Sequence, residues 1–289
     1  MSIDTHTLAV TPREAQAPAL GLRARLVGVG FWADGLPSWE AARAFAAEGA
    51  QPEAAPGKPS PQLLPPNERR RAPESVAVAL QVALAACEAA GRSPATLPSV
   101  FASTHGDLAI TDAICATLAE DPRAMSPTRF HNSVHNAAAG YWTIGAGCMA
   151  AATAISAYDA SFAQGLIEAA AQLAEGAEAV LLVGYDTRAT GPLLSVHVCN
   201  GLLGGALVLV RDGADAVDAA AGPRLDLQLL DGDGPAPLGA LSARSADNAM
   251  APMLPLFDAL ATGADEALLK AGPGRLLRVR LGQVTAVHD

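Results

Sequence analysis

The side chains of this chain that could do chemistry gather between positions 105 and 161: His105, Asp107, His131, His135, Asp159 and Ser161. His105-x-Asp107 and His131-x-x-x-His135 offer the nitrogen and oxygen donors that a zinc or related ion takes. Both spacings are common by chance in loops, where such side chains ordinarily hydrogen-bond to nearby backbone. No metal is therefore expected. Cys87, Cys115, Cys148 and Cys199 form no CxxC pair, so neither a disulfide framework nor a zinc site is indicated. Cys87 lies in an apolar run, where a thiol behaves as a small hydrophobe with a raised pKa. Cys148 precedes a strand instead of opening a helix, and Cys115 and Cys199 have no activating partner close in sequence. The chain has no Walker loop, no GxGxxG opening a helix, no GxSxG elbow and no HExxH. No cofactor is expected.

Asp159 and Ser161 stand out by position. AAATAIS (150–156) reads as a strand and ASFAQGLIEAAAQLAEG (160–176) as an apolar helix, so Tyr158 and Asp159 lie on a sharp strand-to-helix turn. A nucleophile at such a turn gains most from unpaired N–H groups and the helix dipole. The residue here is an aspartate, whose expected role is to cap the helix, worth ~1 kcal/mol. As a nucleophile it would have to accept an acyl group as a mixed anhydride. Ser161 would need a base, and the nearest histidines in sequence are His131 and His135. Its plainer reading is the first turn of the helix.

The surrounding elements alternate. ARLVGVGFW (24–32) reads as a strand with glycines, and the six prolines between 51 and 67 exclude a regular helix and mark a surface excursion. ESVAVALQVALAACEAAG (74–91) is apolar on nearly every face, the mark of a buried helix. A strand at 98–104, a helix at 110–120 and strands at 179–186 and 202–213 follow. The acidic, Gly- and Pro-rich stretch 212–240 reads as a connection. Beyond it come one helix, around MLPLFDALATGADEALL, and a last strand at 276–282. Strands separated by helices imply βαβ units and an α/β sheet covered on both faces. Residues 1–23, with Pro12 and Pro18 and no apolar period, read as a flexible leader.

Composition excludes several classes. Hydrophobic residues make up 51% of 289 and charged residues only 17%, too apolar for a disordered chain. The net charge is −10 and the only lysines are Lys58 and Lys270, so a nucleic-acid groove is not expected. The apolar runs are alanine-rich and broken by polar residues, which argues against a membrane span. The first twenty residues lack the basic start and apolar core of a signal peptide, so the cytoplasm is the expected location.

The run Asn136-Ala-x-Ala-Gly140-x-x-x-Ile144, then Gly147, then Thr153-x-Ile-Ser156, resembles the β-ketoacyl synthases of the thiolase-like fold. There these residues precede an elbow carrying the acyl-accepting cysteine. Counting without a gap puts Tyr158, Asp159 and Ser161 on that elbow, with Asp159 in the nucleophile's place. The resemblance covers roughly residues 25–211. It implies a thiolase-like fold with one complete βαβ-rich half (24–211), a covered mixed sheet, and a linker with a short remnant of a second half (212–289). The family's two histidine motifs are not found; after Val210 the only histidine is His288. GFWADGLPSW, LLPPNERRRAP, FASTHGDLAITD and FHNSVHNAAAGYW resemble one group more closely, the short chain-length-factor-like proteins encoded with aryl polyene genes. That implies a non-condensing subunit forming a heterodimer with an active β-ketoacyl synthase, through the strand before the elbow (about 150–156).

Phe130, His131, His135, Tyr141 and Trp142 form a dense cluster in a chain with only 4% aromatic residues. Core packing explains Tyr141 and Trp142 equally well as the alternative implied by the resemblance, a wall of the partner's acyl tunnel. Arg69–Arg71 fit either a solvated turn or a contact for an acidic acyl carrier protein. Two other functions stay open: an acyltransferase or hydrolase using Ser161 or Asp159 on carrier-bound substrates, and a homodimeric scaffold.

Overall fold

The computed structural model describes residues 22–196, 198–212, 222–233 and 239–282. The proposed leader lies almost wholly outside these residues, as does His288. One eight-stranded sheet organises the chain, in the order β3-β2-β4-β5-β1-β6-β8-β7. Its strands are β1 (Leu22–Ala33), β2 (Ser99–Ala102), β3 (Ala152–Ile155), β4 (Ala179–Asp186), β5 (Leu203–Val210), β6 (Arg224–Asp231), β7 (Glu266–Gly272) and β8 (Arg275–Gly282). The helices are α1 (Trp39–Glu48), α2 (Pro66–Arg71), α3 (Glu74–Ala89), α4 (Leu108–Glu120), α5 (Pro127–Asn132), α6 (Ala137–Ala146), α7 (Ser161–Glu175), α8 (Leu193–Val196), α9 (Ala240–Arg244) and α10 (Leu254–Thr262). Only β3, β2 and β4 run parallel; every other neighbour pair is antiparallel. The α/β class and the mixed sheet are as expected, and the βαβ pattern holds for β2 to β3 and β3 to β4.

Period-two alternation on β4 and β5 sends apolar side chains to both faces. Val180, Leu182, Leu207 and Leu209 pack with α7 (Phe162, Leu166, Leu173) and with Phe257 of α10. Leu181, Val183, Ala206 and Val208 pack with α3 and with Trp142 of α6. That explains why β4 is buried along its whole length and reads as a continuous apolar run. The glycines of β1 admit α3 at close range. A Cβ on Gly30 would lie 2.0 Å from the Val82 carbonyl oxygen, and one on Gly28 would lie 2.2 Å from that of Ala86. Only glycine lets the helix backbone rest directly on the strand.

The C-terminal part differs from expectation. Segment 212–240 is not a simple connection, because Arg224–Asp231 forms β6 beside β1. RLDLQLLD alternates apolar and polar, a half-buried strand whose signal was masked by the Gly- and Pro-rich flanks. The predicted helix ends at Thr262, where Gly263 takes φ +73, and EALLKAG becomes β7 in a hairpin with β8. Residues with helical preference are overridden there by cross-strand pairing. Nor is the sheet covered on both faces throughout. Leu225, Leu227, Leu269, Leu277 and Val279 are buried on the same side as α10. A row of alternating charge, Arg23–Asp226–Arg280–Glu266, crosses four strands by direct register.

Candidate functional site

Strand β3 pairs with β2 in parallel, from Ser99↔Ala152 to Ala102↔Ile155, which sets its carboxyl end beside those of β2 and β4. The chain then makes a 3-10 turn, Tyr158–Ala160, directly into α7. Tyr158 has φ +54, the only non-glycine residue with positive φ among the described residues. A bulky residue adopts that conformation only when its surroundings impose it. The Tyr158 carbonyl accepts from Ser161 Oγ at 2.6 Å and from Thr104 Oγ1 at 3.4 Å, and its ring stands edge-on to His105 at 6.3 Å between centroids.

Asp159 does not cap the helix. The cap position is Ala160, which has no side-chain cap bond, and Asp159 Oδ2 instead lies 3.1 Å from Lys270 Nζ of β7. The intervening 3-10 turn sets Asp159 two residues ahead of the first helical residue and turns it toward the C-terminal strands. Ser161 is buried; besides donating to Tyr158, its Oγ accepts from the Ala157 N–H at 2.9 Å. The hydroxyl proton is thus committed to the Tyr158 carbonyl and not to a base that would activate the oxygen. Gln164 on α7 adds a further tie, donating to the Ala271 carbonyl of β7 at 2.7 Å.

The histidines and aromatic residues separate. His135 Nε2 lies 2.9 Å from the Ser103 carbonyl oxygen, and His131 is exposed with its ring against Tyr141. Tyr141 donates to Asn132 Oδ1 at 3.1 Å. Trp142 is wholly buried beside Phe101, whereas Phe130 is 63% exposed. Among the described residues no group of three or more His, Cys, Asp or Glu side chains is placed to hold a metal ion. Asp107 caps α4, accepting from the Ile110 N–H at 3.0 Å, and also accepts from Ser75 Oγ. The three arginines diverge as well: Arg69 donates to the Leu64 carbonyl and to Gln62, Arg70 pairs with Asn67, and Arg71 lines an open cavity with Pro73, Ile110 and Arg129.

Sequence reasoning passed over Asp186, although its place at the carboxyl end of an apolar strand was visible. It is buried and accepts from Ser103 Oγ at 2.7 Å, from the Thr104 N–H at 2.9 Å and from the His105 N–H at 3.3 Å. Burial pushes its carboxyl up to about 6, against the lowering effect of those donors. The loop after β2 is thereby tied to the end of β4, and Ser156 Oγ, donating to the Thr104 carbonyl at 3.0 Å, ties it to the end of β3. The elbow thus rests on a buried polar knot. Cys87 is pushed up to about 12 and Cys199 to about 11, mainly by burial, which makes both thiols inert.

No helix among the described residues is long and apolar enough to cross a membrane. A search of curated proteins returns no match. Solved structures do match. A chain of the ketosynthase (ApeO) in complex with its chain length factor (ApeC) from Xenorhabdus doucetiae superimposes with a TM-score of 0.70 at 23% identity, covering 90% of this chain and 99% of that one. The ishigamide ketosynthase/chain length factor gives 0.68 at 15% identity, with 90% and 99% covered. AntDE:AntF, a type II polyketide synthase acyl carrier protein in complex with its ketosynthase bound to the hexaketide, gives 0.67 at 13% identity, with 92% and 100% covered. At these identities the likeness establishes the thiolase-like ketosynthase fold. The family described as β-ketoacyl synthase, N-terminal domain, matches by sequence over residues 38–209, more than half the chain. This chain therefore belongs to the β-ketoacyl synthase family.

Proposed function

We propose that this chain is a non-condensing, chain-length-factor-like subunit that pairs with an active β-ketoacyl synthase in aryl polyene or fatty-acid-like chain elongation. The observation that carries the reading is the state of the elbow. Its turn holds no cysteine, Asp159 is paired with Lys270, and both hydrogen-bonding roles of Ser161 Oγ are engaged by backbone. An elbow of this kind, with the fold kept and no thiol to accept an acyl group, suits a subunit that supports another.

Strand β3 supports the pairing. It is one of the two edges of the sheet, and each of its residues is half-buried or exposed. Ile144, Met149 and Tyr158 around it are 81%, 96% and 58% exposed. The carbonyls of Ala151 and Ile155 accept from Ser99 and Ser103 in and beyond β2. By the two-residue period of a strand, Ala152 and Ala154 then present their N–H and C=O groups to the open side. An unpaired, apolar edge is a template for a strand from another chain. Arg70 and Arg71 are exposed in an otherwise acidic protein and suit an acidic carrier protein.

Co-expression with the ketosynthase of its own gene cluster, followed by mass measurement and a condensation assay on carrier-bound acyl groups, tests the reading. The expected result is a 1:1 complex whose activity requires this chain and tolerates Asp159→Ala. Ala154→Pro removes an outward N–H without touching the β2 ladder, so it should leave the chain folded and abolish the complex. A stable monomer that ignores the ketosynthase at micromolar concentration would sink the proposal. Acyl transfer by this chain alone, lost in Asp159→Ala or Ser161→Ala, would replace it with the acyltransferase reading; a homodimer insensitive to the ketosynthase would replace it with the scaffold.

A further inference from the structure

The side chains of β6, β7 and β8 alternate between the α10 side of the sheet, where most are buried, and the opposite side. Further along the sheet that opposite side is covered by α3 and α6, but the core beneath those helices takes no residue from these three strands. Across the face left open runs the row Arg23–Asp226–Arg280–Glu266, one residue from each of β1, β6, β8 and β7, in direct register. Arg23, Arg280 and Glu266 are exposed and Asp226 is half-buried.

The order of signs along this row makes it complementary to itself. Arg23 pairs with Asp226 within the chain at 3.1 Å, whereas Arg280 and Glu266 enter no ion pair among the described residues. From β1 to β7 the signs run plus, minus, plus, minus. A two-fold axis along the strands, between β6 and β8, reverses that order on a facing copy. Arg23 then meets the copy's Glu266 and Asp226 meets the copy's Arg280, so every charge faces its opposite. An axis laid along the row would instead set each charge against itself. In the neighbouring row Gln228 of β6 and Arg278 of β8, bonded to each other within the chain, also face each other across that axis as acceptor and donor.

We propose that a second copy of this chain docks on this face, about a two-fold axis parallel to β6 and β8. The row spans only ~14 Å, since neighbouring strands lie ~4.8 Å apart. Exposed ion pairs are individually weak, and the net charge of −10 opposes self-association, so an ordered pairing of opposite charges has to overcome it. The contact is therefore weak, isologous and sensitive to salt. The free edge of β3 takes no part in it. A complex with a ketosynthase would be doubled with its one-to-one ratio kept, and this contact stands or falls separately from the subunit reading.

Analytical ultracentrifugation of the full chain from micromolar to submillimolar concentration tests this, at low salt and at ~1 M salt, where the screening length is ~3 Å. The parent should dimerise reversibly at low salt and dissociate at high salt. Asp226→Arg and Arg280→Glu each set like charges face to face and should weaken the dimer about ten-fold or more, with circular dichroism unchanged. Mixed together, the two variants should pair with each other at about the parent's affinity, because plus faces minus again at both positions. Ala154→Pro, on β3, should leave the dimer unchanged. A parent that stays monomeric at low salt, a dimer that survives both single variants, or a mixture that fails to recover would each overturn the proposal. Loss of the ketosynthase complex in Arg280→Glu would overturn it too, by giving the face to that partner.

Discussion

Lys270 Nζ, on β7, lies 3.1 Å from Asp159 Oδ2 at the elbow between β3 and α7. The C-terminal strands therefore reach back to the turn that precedes α7, and they do so with one of the two lysines in the chain. Together with the bond from Gln164 to the Ala271 carbonyl, this contact seats β7 against the elbow.

The pair is a fastening with little effect on stability. Its side chains are 48% and 39% exposed, and ion pairs so placed contribute ~0–1 kcal/mol after solvent screening. Asp159→Ala and Lys270→Ala should each lower stability by less than about 1 kcal/mol. Urea unfolding checks it, and a loss several times larger would mean that the elbow depends on this pair instead of on its backbone bonds.

Asp186 makes stability depend on pH in the direction opposite to an ordinary ion-paired carboxylate. Its folded value is raised to about 6, above the ~3.9 of a free aspartate. The folded state therefore holds a proton that the unfolded state releases. The stabilisation from protonated Asp186 is fully present below ~pH 4 and is lost as pH rises through about 6. Asp186→Asn should flatten that window while weakening the bonds to Thr104 and His105. Chemical denaturation between pH 4 and 7 reads both, and parallel curves for variant and parent would refute the assignment.

Thiol chemistry should single out one cysteine. Cys115 on α4 is exposed, whereas Cys87, Cys148 and Cys199 are buried, and Cys87 and Cys199 are held well above the ordinary thiol range. Ellman's reagent should therefore show one fast thiol in the native chain, absent from Cys115→Ser, and three that react only on unfolding. A fast thiol remaining in Cys115→Ser would show that the core opens more readily than its packing implies.

Two glycines should respond oppositely to alanine. Gly30→Ala forces a Cβ to within 2.0 Å of the Val82 carbonyl oxygen and should cost about 3 kcal/mol as α3 is pushed off β1. Gly140 lies inside α6 with nothing within 4 Å of a new Cβ, so Gly140→Ala should stabilise by up to ~1 kcal/mol. Thermal melting of the two variants decides both signs.

Much of the framework was legible in the residue order. The apolar runs of β4, β5, α3 and α7 are long enough for their periods to be read locally, and each sits within a few residues of its expected place. The motif from Asn136 to Ser156 disclosed the family, because it is carried by residue types at short spacing. A local pattern suffices wherever burial is dictated by the element's own face.

What the tertiary structure decided involves partners far apart in sequence. β6 and β7 carry weak local signals and exist because they pair with β1 and β8. Asp159 looks like a cap until Lys270, 111 residues later, draws it away. β3 reads as an ordinary strand, and only the strand order makes it an edge. The elevated proton affinity of Asp186 follows from the burial imposed by strands on either side of it. Hydrophobic period is a property of neighbours in sequence, whereas pairing, desolvation and exposure of an edge are set by which distant segments meet.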